Sequence, residues 1–262
     1  KVIENCLYKI LIERDVEGAI LHCKEVISQL LQDKIDLSLL VITKALAKSA
    51  DMEGYAAKQA HVELAMRMKK RDPGTAPNVG DRVPYVIIQK GKKTPAYERS
   101  EDPVYVLENN LPIDTNYYLT NQLAKPILRL FEPIITNPQS LLQGDHTRTV
   151  VRKTPSARPG GIMMFAVKKA SCMICKTSIE ENGPVLCSYC LPRLPEIYLE
   201  KITELQQQEI MFSRFWTHCQ NCQGNRYEEV ICSNNDCPIF YKRKKVEIDL
   251  EAAQKEIDKF SW

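Results

Sequence analysis

The sequence predicts an α+β fold that is mainly helical and that ends in a small metal-bound domain. Three observations lead to this prediction. Apolar residues recur at helical spacing over most of the chain, short β-branched segments at 37–42 and 83–89 interrupt that spacing, and eight of the ten cysteines lie between residues 172 and 237. A length of 262 residues gives room for about two domains.

Helices are predicted in three stretches of the N-terminal half. Apolar spacing indicates two helices within residues 2–31, with Asp15 as the N-cap of the second helix. A third helix is expected over residues 55–70, where a Pro-Gly turn stops it. Asp114 is expected to cap a long helix that reaches residue 134, and Pro126 should kink that helix because proline has no N–H to donate.

The composition changes at residue 136. Residues 136–165 are rich in proline, glycine and basic side chains, which predicts a flexible basic linker. A solvated spacer is the simpler interpretation of this segment, and a DNA contact is the alternative. Beyond the linker, a helix is expected over residues 196–216, and a last helix carries an apolar seam from Val246 to Phe260. The seam could pack within its own domain or against a partner helix.

Charge and hydropathy narrow the classes of function. The net charge is only +3, so any DNA contact must come from a local stripe of cations. No apolar run approaches the roughly 18–20 residues that span a bilayer. We therefore expect an intracellular protein without a membrane segment, whose first residue, Lys1, indicates a start within a longer chain. In a reducing compartment, clustered cysteines indicate metal sites more often than disulfides.

The first cysteine group has the spacing of a zinc site. Cys172 and Cys175 are separated by two residues, as are Cys187 and Cys190, and eleven residues join the two pairs. Two such pairs can present four thiolates in the tetrahedral arrangement that zinc prefers.

The second cysteine group is less regular. Its members are Cys219, Cys222, Cys232 and Cys237. Both zinc and iron–sulfur clusters accept four cysteine ligands, so the spacing leaves the metal open, and residue chemistry alone slightly favours zinc. His218 is a less favoured alternative ligand. The remaining two cysteines, Cys6 and Cys23, lie in helical patterns and are expected to be small buried residues.

Several ordered segments resemble the B-family DNA polymerases, and among them the C-terminal part of the catalytic subunits of eukaryotic DNA polymerase delta. The segments are ILIERDVEGA at 10–19, PNVGDRVPYVII at 77–88, EDPVYVLENN at 101–110, DTNYYLTNQL at 114–123 and EVICSNNDCPIFY at 229–241. Together they extend over nearly the whole chain. Their number and order make the resemblance more specific than a single cysteine pattern.

The resemblance implies a domain arrangement and two metals. Residues 1–135 would be the polymerase thumb, 136–165 the linker and 166–262 the C-terminal metal-binding domain. Within that domain, 168–191 would hold the first cysteine site, 192–217 a helical connector, and 218–262 the second site with the terminal helix. In this family the first site holds zinc and the second holds a [4Fe–4S] cluster, which reverses the preference for zinc at the second site.

The resemblance also implies partners and an activity. The thumb would grip primer–template DNA, the second site would dock the polymerase's B subunit, and the first site would be linked with the sliding clamp, PCNA. The parent enzyme would synthesise DNA in the nucleus. Its Mg²⁺ ions would be bound by palm aspartates in a Y-G-D-T-D-S type motif, which does not occur in this sequence. We therefore expect this chain to be inactive alone.

A thumb requires cations along the phosphates of the duplex. The candidate contacts are Lys44, Lys48, Lys69, Lys70, Arg71 and Arg82. An ordinary solvated charged surface is the alternative for each of them. Two other classes of function also remain open from the residues alone, a non-enzymatic zinc-ribbon adaptor or DNA-binding protein and a redox protein that uses the second site.

Overall fold

The computed structural model describes residues 1–48, 57–74, 76–91, 94–149, 170–179 and 185–260. The chain divides into two compact units, Lys1–Thr154 and Pro155–Trp262. The first unit combines helices with a three-stranded sheet, and the second contains two long helices and the cysteine groups. The prediction of a mainly helical α+β fold is therefore confirmed. Within the described residues, no helix is both long enough and apolar enough to cross a bilayer.

The chain begins with two packed helices, α1 (Val2–Leu11) and α2 (Val16–Leu31). The predicted N-cap is confirmed, because the Asp15 carboxylate accepts a hydrogen bond of 2.7 Å from the Gly18 N–H. Cys6 and Cys23 are fully buried between these helices, as expected for small apolar side chains. Burial raises the pKa of Cys23 to about 12, so this thiol stays neutral at physiological pH.

An antiparallel sheet has the order β1 (Ile42–Ala45), β2 (Arg82–Ile87) and β3 (Ser100–Glu101). The predicted strand at 83–89 is confirmed in β2, whose last five residues are buried. The sequence made a strand possible at 37–42, but only the last residue of this segment, Ile42, belongs to one. Residues Leu37–Leu39 form a 3-10 turn because the Asp36 carboxylate accepts a hydrogen bond of 2.9 Å from the Ser38 N–H, and the strand begins only at Ile42.

Three short or medium helices surround the sheet. Helix α3 (Ala60–Arg71) packs against β2 and β3 and begins five residues later than its predicted start. Helices α4 (Ala96–Arg99) and α5 (Pro103–Glu108) follow on either side of β3. The main core of the unit lies between α3 and β2, with Leu64, Val83 and Ile87 fully buried.

The long helix predicted after Asp114 is divided into three parts. Helix α6 (Thr115–Tyr118) is capped by the Asp114 carboxylate, a π-helical turn covers Leu119–Leu123, and α7 (Ala124–Phe131) completes the segment. Proline lacks the N–H that would bond four residues back, and a wider turn avoids the clash of its ring with that carbonyl. A kink at Pro126 was expected, and the structure has a π-helical turn that ends three residues before this proline.

The first part of the predicted linker is ordered. Residues Pro138–Leu142 and Asp145–Thr147 form 3-10 turns against α2. Leu141 is 1% exposed in the core shared by α1, α2 and α7. Residues 136–149 thus belong to the first unit, because two leucines in a polar segment suffice to anchor it. The rest of the expected linker lies mostly outside the described residues.

The second unit is built on a helical hairpin of α8 (Leu194–Gln223) and α9 (Pro238–Ile257). Near the start of α8, Lys201 forms an ion pair of 2.9 Å with Glu256 near the end of α9, so the helices are antiparallel. Val246 of the apolar seam is buried. At the other end of the seam, the Phe260 ring packs against the Tyr198 ring, so the seam makes contacts within its own domain.

Candidate metal centres

The four cysteines of the first group meet at one point. Their sulfur atoms all lie within 4.8 Å of one another, and the Sγ atoms of Cys175 and Cys187 are 3.5 Å apart. Tetrahedral zinc with Zn–S bonds of about 2.3 Å brings its sulfurs to about 3.8 Å from each other. The geometry of Cys172, Cys175, Cys187 and Cys190 therefore fits a single zinc ion.

Local backbone geometry forms the two halves of this site. In the first half, the Cys172 N–H donates to the Thr177 carbonyl at 2.8 Å, and Lys176 adopts a left-handed conformation with φ of 61°. In the second half, the Cys187 carbonyl accepts hydrogen bonds from the N–H groups of Cys190 and Leu191. Each half is a tight turn that points two sulfurs toward the same point, which explains why the spacing was sufficient to predict the site.

The pKa values of Cys172 and Cys190 are shifted in opposite directions. Backbone N–H donation, first of all from Cys187, lowers the pKa of Cys172 to about 6. Burial raises the pKa of Cys190 to about 12. A thiolate forms readily at Cys172, whereas Cys190 needs the charge of a bound cation to ionise.

The second group is arranged around a cavity. Cys219 and Cys222 lie in the last turns of α8, Cys232 lies in the loop between the helices, and Cys237 is the N-cap of α9. All four line a cavity of about 280 Å³, together with His218 and others. Among the described residues, only the first cysteine group brings three or more ligand atoms within 4.8 Å. The second set is therefore too widely spaced for one tetrahedral zinc ion in this conformation.

Side chains of α8 hold the loop that carries Cys232. Gly224 ends the helix in a left-handed conformation with φ of 81°, which turns the chain back along α8. The Gln220 amide donates to the Arg226 carbonyl at 3.1 Å, and the Gln223 amide donates to the Glu229 carbonyl at 3.3 Å. These contacts keep the loop beside the cavity.

Arg243 is a residue of this site that the sequence analysis missed. It is 4% exposed, lines the cavity and donates hydrogen bonds to the Cys232 and Val230 carbonyls at 3.0 and 3.4 Å. Burial raises the pKa of Cys219, and the charge of Arg243 opposes that shift. The sequence offers little signal for it, because six residues of an α-helix leave Arg243 about 120° around the α9 axis from Cys237.

The candidate DNA-binding cations of the first unit do not form one stripe. The pairing of β1 with β2 places Lys44 opposite Val83 and Ala45 opposite Arg82. Adjacent residues of a strand point to opposite faces, so Lys44 and Arg82 lie on different faces of the sheet. The Arg82 guanidinium donates to the Thr43 hydroxyl at 2.8 Å. Lys48 is exposed beyond the end of β1.

At the end of α3, the structure separates Arg71 from its two neighbours. One nitrogen of Arg71 donates to both carboxylate oxygens of Glu101 at 2.7 and 2.8 Å, and its guanidinium lies 4.2 Å from the ring centroid of Tyr105. Arg71 is therefore a structural ion-pair partner, and its assignment as a phosphate contact stays a prediction. Lys69 and Lys70 are exposed. Arg71 is exposed too, but its guanidinium is held by Glu101.

Comparisons with known proteins extend over the whole chain. The family model described as DNA polymerase family B matches residues 1–134, and the model described as the C4-type zinc-finger of DNA polymerase delta matches residues 172–243. The relative named DNA polymerase delta catalytic subunit from Oryza sativa subsp. japonica is 51% identical over 100% of this chain and 23% of its own length. The relative of the same name from Drosophila melanogaster is 53% identical over 99% of this chain and 24% of its own length.

A solved structure, titled as the family B DNA polymerase from the hyperthermophilic archaeon Pyrobaculum calidifontis, covers 52% of this chain and 17% of its own. It has 28% sequence identity and a TM-score of 0.43. The chain spans about a quarter of the length of the curated relatives that it matches.

Proposed function

Because the chain belongs to DNA polymerase family B, we propose that it is the C-terminal portion of a delta-type replicative polymerase subunit, with a thumb and a metal-bound docking domain. Residues 1–135 act as the thumb and residues 166–262 as the docking domain. The observation that carries the proposal is the order of two family matches along one chain, a polymerase match followed by a delta-type cysteine match. Template-directed DNA synthesis in the nucleus is the activity of the parent enzyme, with Mg²⁺ held by its palm.

The thumb grips primer–template DNA through phosphate contacts that carry no sequence preference. Lys44, Lys48, Lys69, Lys70 and Arg82 are exposed cations of the first unit that support this role. The division of these cations between different faces suits a duplex that contacts only some of them. Lys69 and Lys70 are the strongest candidates because they extend from the end of a helix that packs on the core sheet.

The docking domain carries zinc at the first site and a [4Fe–4S] cluster at the second. The short sulfur distances support zinc at the first site. A cavity of about 280 Å³ ringed by four cysteines supports a larger group at the second, because a cluster of several iron and sulfur atoms needs more room than one ion. When bound, the cluster would hold together the end of α8, the loop and the start of α9.

Exposed apolar side chains beside each metal site support the docking role. Tyr227 is 99% exposed and Ile231 is 82% exposed in the loop of the second site. Tyr189 is 86% exposed next to the first site. Large apolar side chains grouped at the surface are typical of protein interfaces. We assign the second site to the polymerase B subunit and the first site to the sliding clamp, PCNA.

Anaerobic purification of the chain, followed by metal and sulfide analysis and visible absorption, tests the cofactors. One zinc with about four irons and four sulfides per chain is expected. Two zincs in a colourless protein would refute the cluster. In a parallel binding experiment, Cys237→Ser should abolish capture of the B subunit, whereas Cys23→Ser, which changes a buried thiol of the first unit, should leave capture intact. Retained capture by Cys237→Ser would show that docking does not depend on the second metal.

A further inference from the structure

We propose that Arg243 is a positioning residue of the second cysteine site, which fixes the loop that carries Cys232 and balances the negative charge of the thiolates. The inference rests on the proposed metal group at this site. It concerns a residue outside the four cysteines.

Arg243 is a buried cation beside two aromatic rings. Arg243 is 4% exposed, and the rings of Trp216 and Phe240 lie 6.0 and 5.8 Å from its guanidinium carbon. Over the parts of the chain that the structure describes, no carboxylate forms an ion pair with it. A buried cation without a counter-charge is strongly unfavourable.

The cavity provides the missing counter-charge. Arg243 lines it together with all four cysteines of the second group. Four thiolates carry four negative charges, whereas a zinc ion, or a cluster core with a charge of 2+, carries only two positive charges. The loaded site is therefore an anion, and the guanidinium beside it is the cation that reduces its net charge.

Arg243 is also hydrogen-bonded to the loop that carries Cys232. Both terminal nitrogens of Arg243 donate to carbonyls of the loop, at 3.0 Å to Cys232 and 3.4 Å to Val230. These bonds attach the ligand loop to α9, which also carries Cys237 at its N-cap. The Nε atom is buried and has no hydrogen-bond partner within the described residues. One N–H of the guanidinium therefore remains to donate to a sulfur of the loaded site.

Charge and hydrogen bonding can be separated by two substitutions. Arg243→Met removes the charge and every donor while keeping an unbranched apolar stem, and Arg243→Lys keeps the charge but cannot bridge both carbonyls as a planar fork does. Lys245→Met is the matched control, because it removes one exposed cation of the same helix that pairs with Asp249.

The measurement is the rate at which a chelator removes metal from the second site of the anaerobically purified 262-residue chain. Arg243→Met should release metal at least about tenfold faster than wild type, the usual effect of losing a residue that orients ligands. Lys245→Met should release metal at the wild-type rate. Where the wild-type chain holds iron, Arg243→Met should also lower the reduction midpoint potential, and Arg243→Lys should keep the potential while releasing metal faster.

If Arg243→Met keeps its helix content and releases metal at the same rate as the wild-type chain, the proposal is overturned. If Arg243→Met does not fold, Arg243→Lys is the deciding variant. Faster release of metal from the second site, with zinc retained at the first site, supports the role of Arg243. Release at the wild-type rate refutes it. The metal content of the wild-type chain tests the cluster separately. Two zincs would refute the cluster and leave the Arg243 comparison to be read from zinc release.

Discussion

Replacement of Lys69 and Lys70 by alanine should flatten the salt dependence of duplex binding by the full-length polymerase that carries this chain. The sequence alone would have included Arg71 in this substitution. Arg71 is left out because Glu101 holds its guanidinium through two contacts and the Glu101 side chain is only 6% exposed, so that Arg71→Ala would also break a structural ion pair. The perturbation is therefore a double substitution.

The expected magnitude follows from counting the phosphates. Each neutralised phosphate contributes about 0.9 to the slope of log affinity against log salt, so two contacts contribute about 1.8. Over a fourfold rise in salt, that difference corresponds to about a twelvefold smaller loss of affinity in the variant than in wild type. Had all three cations contacted phosphates, the slope would change by about 2.7.

The assay is a fluorescence titration of a primer–template duplex at several salt concentrations. Lys125→Ala with Arg129→Ala is the matched control, because both residues are exposed cations of the first unit outside the candidate set. An unchanged slope in the Lys69 and Lys70 variant would refute the assignment. Arg71→Ala should mainly lower stability, and a slope change of about 0.9 without loss of stability would refute its structural role.

Three further predictions concern the first unit, with urea unfolding followed by circular dichroism as the measurement. Leu141→Ala should lower the free energy of unfolding by about 2–4 kcal/mol because Leu141 fills a core site. An unchanged free energy of unfolding would indicate that residues 136–149 are part of the linker. Tyr118→Phe should lower the free energy of unfolding by about 1–3 kcal/mol. The Ile87 N–H, which donates to the Tyr118 hydroxyl at 3.0 Å, would remain buried without a partner. Equal stability of the two proteins would contradict this. Burial lowers the pKa of His61 below its usual 6.5, so the unfolded state binds more protons and stability should fall as the pH drops below 6.5. His61→Gln should flatten that decline, and an identical pH profile would exclude His61 as its source.

Features that depend on neighbouring residues were predictable from the sequence. The caps at Asp15 and Asp114 require only a carboxylate beside the first N–H groups of a helix. The first zinc site requires only two tight turns that each present two sulfurs. The interruption before Pro126 follows from the missing N–H of proline.

Features that depend on distant residues were not predictable. Arg71 forms an ion pair with Glu101, thirty residues further along the chain, and a run of three cations in the sequence does not indicate that pairing. Leu141 anchors a segment that resembles a linker by composition. No strand forms at 37–39 because the Asp36 carboxylate accepts a hydrogen bond from the Ser38 N–H, and this bond stabilises a 3-10 turn there.

The sequence by itself predicted two groups of four cysteines in a chain that resembles the delta polymerases, because residue type and spacing follow directly from the order of the residues. Only the tertiary structure decided that the second group surrounds a cavity and does not converge on one point. It also decided that Arg243 enters that cavity. These outcomes depend on how α9 packs along α8, and that packing is fixed by side chains far apart in the chain.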